Sequence, residues 1–174
     1  MGLLTMHSRS KRFCAYALAG TALAVMLGLS APSIQAQSAP FAALAGSWAG
    51  QGRIDLQDGT SERIRCRANY SVGDGGTSFQ QQLRCASDSY KFDVNSKIQS
   101  SGGSLSGTWS EATRNLSGSV SGNATASRIQ AKESGGAFSA GLNVYTNGNQ
   151  QGVTIVPQGT EIKGVTVSMV KAKS

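Results

Sequence analysis

Histidine is almost missing from this 174-residue chain, the single copy being His7. Everything beyond the first few residues therefore lacks the usual base for activating a serine and the commonest zinc ligand. Cysteine is nearly as scarce, with only Cys14, Cys66 and Cys85, so neither a cysteine-rich metal centre nor a dense disulfide scaffold can be built. Charged residues make up 14% and aromatic residues 6% of the chain. No apolar run beyond residue 29 is long enough to cross a bilayer as a helix, and no later segment carries the 3.6-residue apolar period of an amphipathic helix. With three prolines against 22 glycines, glycine is left to punctuate the chain.

The first 36 residues have their own layout. Arg9, Lys11 and Arg12 form a basic start, an apolar stretch runs from Phe13 to Leu29, and Ser33-Ile34-Gln35-Ala36 is a small-residue exit. This predicts a signal peptide over 1–36 cleaved after Ala36, with an uncleaved anchor as the alternative. A short lead over 37–45 and a single domain over 46–172 follow. The expected location is periplasmic or secreted, with no membrane span after cleavage. Removing the leader's three basic residues from the 16 lysines and arginines leaves a net charge of +4 against nine acids. A balance this mild suits solubility and predicts no nucleic-acid partner; a monomer is expected.

What the remaining chain does have is alternation. Around Gly75-Gly76, residues whose numbers sum to 151 face one another, so Val72 meets Phe79, Ala68 meets Leu83 and Cys66 meets Cys85. Ile64, Cys66, Ala68, Tyr70 and Val72 share one face, while Arg63, Arg65, Arg67 and Arg84 share the other. Two cysteines left after leader removal suit one bridge in an oxidising compartment. Closing the Cys66–Cys85 loop would contribute about 3 kcal/mol. A two-residue turn would leave these positions as a wide, hydrogen-bonded pair, so a four-residue loop from Asp74 to Thr77 or a bulge is expected.

Further turn signals recur at Asp58-Gly59, Ser87-Asp88, Gly102-Gly103, Arg114-Asn115, Asn123, Gly135-Gly136, Asn147-Gly148 and Pro157-Gln158-Gly159. Short alternating segments between regular turns predict an all-β, antiparallel up-and-down meander of about ten strands. Closing it into a barrel would hide its edges, and a flattened sandwich is the alternative. The pairings expected are Ile54 with Ile64, Trp48 with Tyr70, Leu83 with Phe92, Cys85 with Tyr90, Ile98 with Leu105, Val94 with Trp109, Trp109 with Gly118, and Leu142 with both Ile129 and Val153. Lys163-Gly164 is the expected site of a bulge, because Ile162 disagrees in phase with Val165, Val167 and Met169.

Two sets of residues resemble known families. Leu44-Ala45-Gly46-Ser47-Trp48-Ala49-Gly50 resembles the Gly-x-Trp opening of the calycin barrels, the group of lipocalins, fatty-acid-binding proteins, avidins and nitrobindins. The resemblance implies a closed barrel with Trp48 plugging one end. The runs Ser61 to Ala68, Leu83 to Asp93 and Ser106 to Glu111 look like a family of small exported bacterial proteins without an assigned activity. Nitrobindins hold haem through a histidine, which has no counterpart here, and a full set of avidin-type biotin ligands cannot be placed. No cofactor and no metal are expected.

Candidate chemistry follows from these faces. Inward glycines and alanines leave volume in a ten-stranded barrel, predicting a small apolar ligand held by Trp48, Tyr70, Phe92, Leu105, Trp109, Phe138 and Leu142. The alternative is that the aromatic rings fill this space. Glu111 and Glu133 fall on the apolar phase near strand ends and read as rim carboxylates. With no base for a serine, the protein is expected to be no enzyme. The row Arg63, Arg65, Arg67 and Arg84 predicts a patch for acidic partners such as an envelope component. An interaction module, protease-inhibitor-like modules included, is therefore the second functional reading. Asn115-Leu116-Ser117 and Asn123-Ala124-Thr125 match glycosylation acceptors, which in a bacterial protein would be coincidental.

Overall fold

The structure is a computed structural model, and it describes residues 39–173. The expected leader and its cleavage point lie outside the described residues. Ten strands follow one another: β1 (Gly46–Leu56), β2 (Ser61–Gly73), β3 (Ser78–Ala86), β4 (Lys91–Ser101), β5 (Ser104–Glu111), β6 (Leu116–Ala124), β7 (Arg128–Gly135), β8 (Phe138–Asn147), β9 (Gln150–Gln158) and β10 (Ile162–Lys171). Each pairs antiparallel with the next, and β10 returns to β1, so the meander closes into a barrel. Closure leaves no sheet edge exposed. Among the described residues, no helix is long and apolar enough to cross a membrane.

Face assignment follows the alternation, whereas register differs from it in a regular way. Trp109 stands opposite Gly118 as expected. Trp48 instead meets Ala68 and Ile54 meets Glu62. Leu83 meets Val94 and Cys85 meets Phe92; Val94 meets Glu111 and Ile98 meets Gly107. Leu142 meets Ala131 on one side and Ile155 on the other. Each of these corrections moves a pairing by two positions, because each turn centre lies one residue from where it was expected. At the β4–β5 turn the reason is visible: Gly102 and Gly103 both have positive φ, 57° and 86°. Both central positions of the turn need that conformation, so the turn occupies the two glycines and sets Ser101 opposite Ser104. A two-residue shift preserves parity, and so every side chain keeps its face.

The Cys66–Cys85 bridge is formed, with Cα atoms 4.1 Å apart. Gly73 pairs with Ser78, leaving the four-residue loop 74–77 that places the cysteines in the narrow kind of antiparallel pair. The bulge near Lys163 is also present, since Asp55 pairs with Gly164 while Leu56 pairs with Ile162. The β10 backbone approaches β1 closely at Gly50, where an added Cβ would lie 1.9 Å from the Ser168 carbonyl oxygen. Only glycine permits that approach.

One end of the barrel is sealed. Residues Ala42–Leu44 form a single 3-10 turn whose neighbour Phe41 is completely buried. The Phe41 N–H donates to the Gly76 carbonyl at 3.0 Å, and the Phe41 ring meets Phe79 edge-on with centroids 4.8 Å apart. The Trp48 indole N–H donates to the Leu44 carbonyl at 2.7 Å. Lys171 donates to the Ala43 carbonyl at 3.2 Å and lies 5.6 Å from the Trp48 ring centre. What the sequence presents as a short lead is therefore a plug.

Candidate functional site

Directly inside the plug, polar side chains cross the barrel. Gln81 donates to the Tyr70 hydroxyl at 3.0 Å, Tyr70 donates to Gln151 at 3.4 Å, and Gln151 donates to Thr146 at 3.4 Å. These groups come from β3, β2, β9 and β8, so they form a floor across the lumen. Burial, only partly offset by its hydrogen bonds to Gln81 and Gln151, pushes the Tyr70 hydroxyl up to about 12. A neutral, fully bonded phenol is the stable state there.

The opposite end carries no such plug among the described residues. Its turns bear Tyr90 stacked on Phe92, the ring centroids 6.3 Å apart, with the Arg114 guanidinium 4.9 Å from the Phe92 ring centre. Trp109 and Phe138 meet edge-on at 5.4 Å. Trp109 is 5% exposed, and its indole N–H has no hydrogen-bond partner among the described residues. An unmet donor in such surroundings costs roughly 1–3 kcal/mol. Several inward side chains, Leu83, Ala131, Phe138, Leu142, Val153 and Ile155, are only partly buried.

The seven residues expected to hold an apolar ligand are thus divided. Trp48 and Tyr70 belong to the sealed end and its floor, and Leu105 is buried beside the β4–β5 turn at that same end. Phe92, Trp109 and Phe138 surround the unplugged end, with Leu142 midway along β8.

The two rim carboxylates also part company. Glu111 is buried and accepts backbone N–H groups from Asp93 at 3.0 Å, Thr113 at 3.0 Å and Arg114 at 2.8 Å. Burial raises its pKa, but these donors together with the Thr113 hydroxyl outweigh burial and hold it below the usual value. It is a turn cap. Glu133 faces inward between Val120 and Ala140, and burial raises its pKa. Alternation missed the floor because Gln81, Thr146 and Gln151 are polar residues on the inner phase. No spacing rule distinguishes them from solvent-facing ones.

Two concavities lie on the outer wall. One of about 930 Å³ is lined by Arg65, Arg67, Arg84, Lys91 and Asp93 with residues of β1 to β4, and another of about 400 Å³ by Asn69, Gln80, Gln82 and Asn95 among others. Neither is lined by any residue of β5 to β9, so neither is the lumen. The expected arginine patch is gathered in part: Arg65, Arg67 and Arg84 line the larger concavity, whereas Arg63 stands opposite Arg53 outside it. Among the described residues, no group of three or more histidine, cysteine or acidic side chains could hold a metal ion.

Neither a protein-family model nor a curated protein matches the sequence. Solved structures do match. One is the S-type phycobiliprotein lyase CPES from Guillardia theta, at a TM-score of 0.54 and 10% identity over 77% of this chain and 91% of that one. The fold is a calycin-like barrel. This likeness corrects the expectation that the chain is no enzyme, because a barrel of the same form is carried by a protein named a lyase. At 10% identity the likeness is one of fold and brings no reaction or catalytic residue with it.

Proposed function

We propose that the barrel takes a small apolar molecule with one hydrogen-bond acceptor through its unplugged end. The observation that carries this reading is the Trp109 indole N–H, buried on the inner face without a partner among the described residues. A ligand carbonyl, ether or carboxyl oxygen would relieve it. Phe138 and Phe92 supply the apolar rim, and Glu133, whose pKa burial raises, lies nearer the middle of the wall. The floor of Tyr70, Gln81, Gln151 and Thr146 limits depth, which favours a compact ligand over a long chain threaded through the barrel. The reading concerns binding and assigns no reaction.

The disulfide supports an oxidising compartment, and we extend the proposal to an exported protein whose mature chain starts at Gln37. Amino-terminal sequencing of protein from the periplasm or medium should return Gln-Ser-Ala-Pro; an intact Met1 start would reject export by cleavage. Native mass spectrometry of protein purified from its own host should show a retained small molecule that is lost on unfolding. A spectrum of the bare chain alone, together with no response to added apolar compounds, would reject the binding reading.

A further inference from the structure

We propose that the outer trough across β1 to β4 binds an acidic polysaccharide, a sugar chain bearing carboxylate or phosphate groups. The inference is independent of what the lumen holds. Its first support is a register that opposes like charges: Arg67 pairs directly with Arg84, both on the outer face, and Arg65 follows about 7 Å along the same strand. Like charges directly opposite one another destabilise a sheet. Arg84 has Asp93 at 3.1 Å as its counter-ion, while Arg65, Arg67 and Lys91 have no ion pair among the described residues. Four cations against one carboxylate in a concave site focus the field and attract anions. Guanidinium groups are suited to grip carboxylates and phosphates in the two-point manner.

The second support is what adjoins them. The two concavities share Ser47, Asn69 and Gln82, so the cationic trough continues into one lined by the carboxamides of Asn69, Gln80, Gln82 and Asn95 together with the ammonium of Lys97. Carboxamides both donate and accept hydrogen bonds, as sugar hydroxyls require. Anionic groups held by the cations and hydroxyls held by the intervening carboxamides describe an acidic glycan. A single-stranded nucleic acid would want exposed rings for stacking, yet Trp48 and Tyr70 turn their buried side chains inward and the Arg114 guanidinium covers the Phe92 ring. A bilayer would want exposed apolar side chains, and the large ones, Leu116, Tyr145, Val156 and Val170, are all outside the lining.

Binding of the full chain to polygalacturonate, measured by titration calorimetry at two salt concentrations with neutral dextran as reference, tests this. We expect saturable, salt-sensitive binding to polygalacturonate and none to dextran. The variant R65Q/R67Q/R84Q should weaken it about tenfold or more, the expected loss of at least one charged hydrogen bond. A charge-matched control, R128Q/K132Q/K163Q, should leave it unchanged, and N69A/Q82A should weaken binding to polygalacturonate but not to inorganic polyphosphate. Circular dichroism verifies that each variant is folded. No binding, equal losses in the trough and control variants, indifference of both ligands to N69A/Q82A, or tighter binding to phosphatidylglycerol vesicles than to the polysaccharide would each overturn the proposal.

Discussion

Trp109 stands directly opposite Gly118 across the β5–β6 ladder, so the indole covers a strand with no side chain of its own at that point. The ring meets Phe138 edge-on, and its N–H has no partner among the described residues. Replacing Trp109 with Phe keeps most of the apolar contact and removes the donor. In the ligand-free protein the expected change is small, within about 1 kcal/mol, because relief of the unmet donor offsets the lost ring area. Chemical denaturation of W109F measures it. A loss above about 3 kcal/mol would show that the indole is held by something other than packing.

Glu133 gives a pH signature. Its folded pKa is raised by burial, so between the unfolded and folded values the native state holds the proton more tightly. Stability is full below the unfolded value and falls as pH rises through the folded one. E133Q should be more stable than the parent at neutral pH, and its advantage should vanish below about pH 4, the ordinary range of a free glutamate. Melting temperatures across this range would show it. An E133Q protein less stable than the parent at pH 7 would mean that the ionised carboxylate is paired.

The floor makes a prediction at the alkaline end. With the Tyr70 hydroxyl at about 12, the folded state resists ionisation that the unfolded chain undergoes near the ordinary tyrosine value of about 10. Stability should therefore fall between those values, by about 3 kcal/mol in total for a shift of that size. Y70F should lose this dependence, although it starts lower because Gln81 and Gln151 are left without their partner. Urea melts at pH 9 and at higher pH provide the comparison.

How far the sequence could be read depended on which physical signal carried each feature. Period-two alternation is set by the pleat alone, and it delivered ten strands, their faces and the cysteine pair. Register is set by where a turn can place positive φ, and glycine pairs such as Gly102-Gly103 resolve this only once both residues are known to occupy the turn. Phe41 is not legible in the sequence, because a buried residue outside any periodic segment looks like any other apolar residue in a lead. The floor was hidden because Gln151 and Thr146 are polar yet face inward, and only the partner on the far wall, Tyr70, makes them satisfied. Arg65, Arg67 and Arg84 were legible as a row, but Lys91 joins them only through the β3–β4 turn.

The most direct test of ligand capture at the unplugged end uses the two tryptophans separately. Trp48 is sealed beneath the plug and Trp109 lies at the opposite end of the lumen, so W48F reports on Trp109 and W109F on Trp48. Emission is titrated with three compact apolar compounds that each carry an oxygen acceptor: a short-chain fatty acid, an aromatic ketone and a cyclic ether. We expect a saturable change in W48F with at least one of them, and little or none in W109F. Silence from both variants with all three compounds, or equal responses from both, would contradict it.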